Sequence, residues 1–230
     1  MDLTILEWIL TYLGVATPGF ALAAYQYRKR QHRQRFDWAI DNGHGSLQAG
    51  KRSPVLDDGR QLLEWEFNRR IARPLVARLT ARGVSAWLVV PEDEVGAFLN
   101  PRIDRIEARQ SSLPKVSMSI HANAAKPNLP GGWTTAKGTE VFYYTGSTKG
   151  RALAERAQHF LIKHLGRRDR GVKHNRWMRM LQARCVYSIL LEIAFMNNPV
   201  EVELLLDDDF CGRTVDALEA FVLDVEQNGL

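Results

Sequence analysis

Cysteine is nearly absent from this 230-residue chain: only Cys185 and Cys211 occur, 26 positions apart. Neither has a partner at metal-ligand spacing, which excludes a cysteine-type structural zinc site. Cys185 sits in an apolar run and reads as a small buried filler, and no disulfide is expected between the two. There is no HExxH word, no internal repeat and no low-complexity tract. A basic surface is also missing from most of the chain. The formal net charge is +5, but Arg28, Lys29, Arg30, Arg33 and Arg35 stand against only Asp2 and Glu7 in residues 1–35. The remaining 195 residues are nearly neutral, so a nucleic-acid-binding function loses its support. A 45% hydrophobic content suffices for one sizeable domain plus an appendage.

Charge is absent, too, from the twenty residues Trp8 to Tyr27. A helix of that length would be about 30 Å long, enough to cross a bilayer. Trp8, Tyr12, Tyr25 and Tyr27 lie near its ends, where amphipathic rings suit a membrane interface. The segment reads first as a membrane anchor. Glu7 and Pro18 weaken that, leaving a helix packed on its own domain as one alternative. A cleavable signal peptide is another: Ala21-Leu22-Ala23 has the form of a cleavage site, but the leading basic residue is missing. Residues 1–35 are thus expected to form a hydrophobic helix and basic linker, and residues 36–230 the catalytic domain.

Along that domain, strands are predicted over Phe36–Asp41, Val84–Val90, Lys115–Ile120, Thr139–Tyr144 and Val186–Ile193. Helices are predicted over Arg60–Arg82, with a bend or interruption near Pro74, and over Val95–Arg109, interrupted at Asn100-Pro101. Arg151–Leu165 and most of Val200–Val225 complete the set. This alternation argues for an α/β layered domain.

Four residues stand out: His44, Glu64, His121 and Glu192. His44 follows the first strand between Gly43 and Gly45, which permit a tight turn and close backbone approach. His121 ends another strand, and 77 positions separate the two imidazoles, so only the fold can bring them together. Two imidazoles and a carboxylate are the ligand set of a catalytic zinc site that leaves a fourth position for water. Glu192, inside Ile189-Leu190-Leu191-Glu192-Ile193-Ala194, would be costly in a packed strand unless paired or functional.

The words Asp41-Asn42-Gly43-His44-Gly45, Glu64-Trp65-Glu66-Phe67-Asn68, Ser119-Ile120-His121-Ala122-Asn123-Ala124 and Leu190-Leu191-Glu192-Ile193-Ala194-Phe195 occur in that order. Together they resemble the zinc-dependent N-acetylmuramoyl-L-alanine amidases of the amidase-3 family, over roughly residues 36–228. The Gly50–Pro54 stretch is similar to the phage endolysin branch. The resemblance implies a three-layer domain with a twisted, mostly parallel sheet flanked by helices. It implies one Zn²⁺ per chain on His44, Glu64 and His121, and Glu192 as the catalytic base. Peptidoglycan would be cut between muramic acid and the L-alanine of the stem peptide. Glu64 rather than Glu66 fits the family's Glu-x-x-x-Asn pattern, and Glu66 would point about 200° away on a helix.

Other residues keep two readings. Asp41 could orient an imidazole or cap a turn. Asn68 and Asn123 could support ligands or touch substrate. His174, after Arg170-Gly171-Val172-Lys173, could contact the reacting group or simply be exposed, and Trp133 could wall the substrate or be buried under its loop. His32, His159 and His164 read as surface residues. The basic cluster after the apolar run would leave the catalytic part on the cytoplasmic side, which suits an endolysin accumulating before lysis. A catalytically silent wall-binding or regulatory protein of the same fold, and a zinc peptidase cutting the stem peptide, are the competing functions.

Overall fold

The computed structural model describes residues 36–48, 50–96, 99–184 and 186–230. The N-terminal apolar segment, its basic linker and Cys185 lie outside the described residues. Among the described residues, no helix is long and apolar enough to cross a membrane.

Six strands form one sheet: β1 (Asp37–Asp41), β2 (Ser85–Leu88), β3 (Lys115–Asn123), β4 (Thr139–Tyr143), β5 (Asp169–His174) and β6 (Val186–Phe195). Their spatial order is β2-β1-β3-β6-β4-β5. β2, β1, β3 and β6 run parallel, β4 is antiparallel to β6, and β5 is parallel to β4. The helices are α1 (Glu64–Ala81), α2 (Leu99–Ala108), α3 (Thr148–Leu165), α4 (Glu201–Leu206) and α5 (Asp208–Asn228). This is the expected α/β domain with a mostly parallel sheet.

Alternation along each strand sorts the side chains between two unequal faces. On β3, Val116, Met118, Ile120 and Ala122 enter the larger core with Trp38 and Ile40 of β1 and Leu191 of β6. Helices α1, α3 and α5 pack over that face, and α5 touches both of the others. The opposite face holds a smaller cluster: Ala39, Val90 and Leu190 against Ile103 and Ile106 of α2 and Met180 and Leu181 of a 3-10 turn (Arg179–Gln182). His121 and Glu192 belong to this thinner side. In parallel strands the carboxyl ends gather at one edge, which is where ligand sites form in such sheets.

Several boundaries differ from expectation for local reasons. α1 begins at Glu64 rather than Arg60, because Leu63 is held in an antiparallel bridge with Arg52. It runs uninterrupted through Pro74. Pro101 sits in the first turn of α2 instead of interrupting it, where a missing N–H costs little. The C-terminal helical stretch divides at Asp207, whose side chain accepts from Phe210 N at 2.7 Å and caps α5. β5 was not anticipated as a strand. Its Asp-Arg-Gly-Val-Lys-His composition carries one apolar side chain, as suits a charged edge strand.

Trp38 anchors the larger core. It is fully buried, meets Phe221 edge-on at 5.7 Å between centroids, and donates its indole N–H to Glu226 at 2.8 Å. Trp38→Ala should lower unfolding free energy by about 3–5 kcal/mol, measured by urea denaturation followed by circular dichroism. A loss below about 1 kcal/mol would contradict this packing.

Candidate metal centre

The β1–α1 connection carries the first candidate ligand. His44 adopts φ 60°, a left-handed conformation uncommon for a residue with a side chain. Its glycine neighbours are needed for close approach. A Cβ on Gly43 would strike the His121 ring, and one on Gly45 would strike the Val95 backbone. Arg69 on α1 pins the loop by donating to the carbonyls of Asn42 and His44, both at 3.3 Å, and of Glu92 at 2.7 Å.

Glu64, the first residue of α1, lies between the two histidines. Its Oε2 is 3.2 Å from His44 Nε2, and its Oε1 is 2.9 Å from His121 Nδ1. The imidazole rings are perpendicular, with centroids 4.8 Å apart. One donor atom from each of the three residues falls within 4.8 Å of the others. Burial pushes the Glu64 carboxyl up, but hydrogen bonds and charge from His121 and His44 outweigh it and hold the group at about 2.

The far side of each ring is fixed as well. His44 Nδ1 is 2.7 Å from Gln48 Oε1, whose oxygen can only accept, so Nδ1 carries the proton. His121 Nε2 is 3.0 Å from Ser119 Oγ, and that hydroxyl donates to Asp41 Oδ2 at 2.5 Å. The chain of donors leaves His121 Nε2 protonated. His44 Nε2 and His121 Nδ1, the nitrogens that face Glu64, are therefore the ones available to a metal ion. Two imidazoles and one carboxylate, each oriented by an outer hydrogen bond, fit a zinc ion.

Glu192 neighbours this trio across the sheet. In the β3–β6 register it stands opposite His121. Its Oε2 is shielded from solvent and has no hydrogen-bond partner. Burial, then the negative charges of Glu64 and Glu140, push its carboxyl well above the ordinary range, with Lys51 acting weakly the other way. A nearby cation would reverse that tendency and favour the carboxylate.

The lesser candidates separate. Asp41 orients His121 through Ser119, and its other oxygen accepts from Arg102 Nη1 at 2.5 Å. Asn68 donates to Gly43 O at 3.2 Å, supporting the ligand loop. Asn123 donates to Glu140 at 2.8 Å on the far side of Glu192. His174 is exposed at the end of β5, 3.2 Å from Thr145 Oγ1, and shares no contact with the trio. Trp133 is half-buried against the larger core.

Sequence reasoning missed Gln48, Ser119, Arg102 and Glu140. Ser119 was within reach, because period-two alternation puts it on the same face as His121. Arg102 carried no local signal. It is fully buried on α2, and its second nitrogen donates to His44 O at 2.5 Å.

A family model described as N-acetylmuramoyl-L-alanine amidase matches residues 39–222. An uncharacterized cell wall amidase of Bacillus anthracis is 30% identical over 199 residues, covering 80% of this chain and 34% of that protein. The N-acetylmuramoyl-L-alanine amidase LytC of Bacillus subtilis is 32% identical over 168 residues, covering 72% and 30% respectively. The chain thus spans about a third of the length of these curated relatives. Among solved structures, an N-acetylmuramoyl-L-alanine amidase from Clostridium difficile 630 superposes with a TM-score of 0.71 at 25% identity, over 86% of this chain and 100% of that one. AmiC2 of Nostoc punctiforme gives 0.68 at 27% identity, over 83% and 97%. With residues 39–222 matched by that family model, and His44, Glu64 and His121 gathered beside Glu192 at one edge of the sheet, this chain belongs to the amidase-3 family of N-acetylmuramoyl-L-alanine amidases.

Proposed function

We propose that this chain is a zinc-dependent peptidoglycan hydrolase that cleaves the amide between the lactyl carbonyl of muramic acid and the L-alanine of the stem peptide. One observation carries the proposal: a His44–Glu64–His121 donor set converges beside Glu192 of the adjoining strand, a residue whose Oε2 is buried without a hydrogen-bond partner.

A zinc ion held by His44, Glu64 and His121 would supply Lewis-acid activation of a water and of the scissile carbonyl. The chain's own groups do the rest. Glu64, held well below the ordinary carboxylate range, is ionised at neutral pH and offsets cationic charge at the site. Gln48, and Ser119 backed by Asp41, fix ring orientation and tautomer. Glu192, with no hydrogen bond to give up at Oε2, takes the proton from the attacking water and passes it to the departing L-alanine nitrogen. The C–N bond breaks, leaving a lactyl carboxylate on the glycan and a free amine on the peptide.

The division of labour separates two variants. Glu192→Gln should retain zinc while losing about 10²–10⁴-fold in turnover, whereas His44→Ala should lose both metal and activity. Metal content by atomic emission, and mass spectrometry of digested peptidoglycan, provide the readouts. Intact stem peptides lacking sugar support the amidase, truncated peptides would indicate a peptidase, and near wild-type turnover by Glu192→Gln would refute the base assignment.

Arg102 ties both histidines together without touching either ring. One guanidinium nitrogen holds the His44 carbonyl, and the other holds Asp41, which reaches His121 through Ser119. Arg102→Met should therefore weaken zinc binding about 10- to 100-fold, read by competition with a chromophoric chelator. Arg102→Lys, which can restore only one of the two contacts, should fall between. Unchanged affinity in Arg102→Met would show that the clamp does not organise the ligands.

A further inference from the structure

Beyond the metal ligands, the same face of the sheet carries a second charged group. Glu140 stands opposite Glu192 in the β4–β6 register and is buried. Its Oε1 accepts from Asn123, while its Oε2 accepts from Arg170 Nε at 2.6 Å and from Lys173 Nζ at 2.5 Å. Burial alone would raise its pKa, but Lys173 and Arg170 outweigh it and hold Glu140 below the ordinary range. Two cations therefore meet one carboxylate, and one positive charge is left over.

Both cations are anchored yet reachable. Arg170 lies over the Phe195 ring at 4.8 Å, and its side chain is 26% exposed. Lys173 keeps 40% of its side chain exposed. They sit on the edge strand β5, on the far side of Glu192 from the His44–Glu64–His121 trio. His121, Glu192, Glu140 and the cation pair thus form a row across β3, β6, β4 and β5.

Taking the amidase activity as given, we propose that Arg170 and Lys173 bind a carboxylate on the second residue of the stem peptide. The enzyme then favours peptides with a free acid there over those with a carboxamide. Distance selects the residue. Adjacent strands lie about 4.8 Å apart, which puts the cations about 5–10 Å from the catalytic carboxylate. An extended peptide advances about 3.3–3.6 Å per residue, so the second residue beyond the scissile bond lies about 7 Å along. A carboxylate accepts charge-assisted hydrogen bonds from both cations, whereas a carboxamide offers one neutral oxygen.

The test compares two synthetic muramyl peptides, identical except for carboxylate or carboxamide at the second residue, with the zinc-loaded full chain. The wild type should favour the acid at least about tenfold in kcat/KM, mainly through KM. Lys173→Met should collapse that ratio toward unity, and Lys173→Arg should keep it. Equal kcat/KM on both substrates in the wild type would overturn the inference. So would a Lys173→Met variant that slows both substrates alike with the ratio intact, since Lys173 would then serve only to neutralise Glu140. Failure of the amidase activity itself looks different, because neither substrate would be cut.

Discussion

The pairing register of β3 with β6 is the constraint on which the site depends. It sets His121 directly opposite Glu192, with Met118 opposite Ile189 and Ile120 opposite Leu191 in the larger core. A slip of one residue in either strand would turn its own His121 or Glu192 into that core and move its apolar set to the other face. The hydrophobic pattern that fills one face of the sheet therefore also aligns His121 with Glu192 on the other.

The two faces divide the energetic load. Three helices seal one side, where burial of apolar area supplies stability. The other side is only partly covered, by α2 and a 3-10 turn, and carries polar groups that would be costly inside a sealed core. Nearly all of those groups are paired: Asp41 with Ser119 and Arg102, Glu64 with both histidines, and Glu140 with Arg170 and Lys173. Glu192 Oε2 is unpaired, as are the Ser117 and Ser188 hydroxyls on the same face. Leaving the carboxyl oxygen unsatisfied is destabilising, and such a cost is consistent with the proton-accepting role proposed for Glu192.

The candidate site was legible in the sequence because each of its residues stands beside a recognisable local feature. His44 lies between two glycines that close approach requires, and His121 and Glu192 interrupt apolar alternation near strand ends. Glu64 opens an amphipathic helix, although the helix start came out four residues early, since the Arg52–Leu63 bridge is a tertiary contact with no local signature. The same limit explains Arg102 and Glu140. Arg102's partners lie 58 and 61 positions away and Glu140's lie 17 to 33 away, so nothing in the surrounding residues marks them. His174 was singled out from its word, yet the two cations preceding it are the ones that reach Glu140, which stands opposite Glu192. β5 escaped notice because an edge strand needs little hydrophobic surface.

Anomalous diffraction at the zinc absorption edge, from crystals of the zinc-loaded protein, tests the central claim most directly. A single strong peak is predicted, with His44 Nε2, His121 Nδ1 and a Glu64 oxygen each within about 2.0–2.2 Å and Glu192 adjacent but not coordinating. No peak, or a peak held by other side chains, would contradict it.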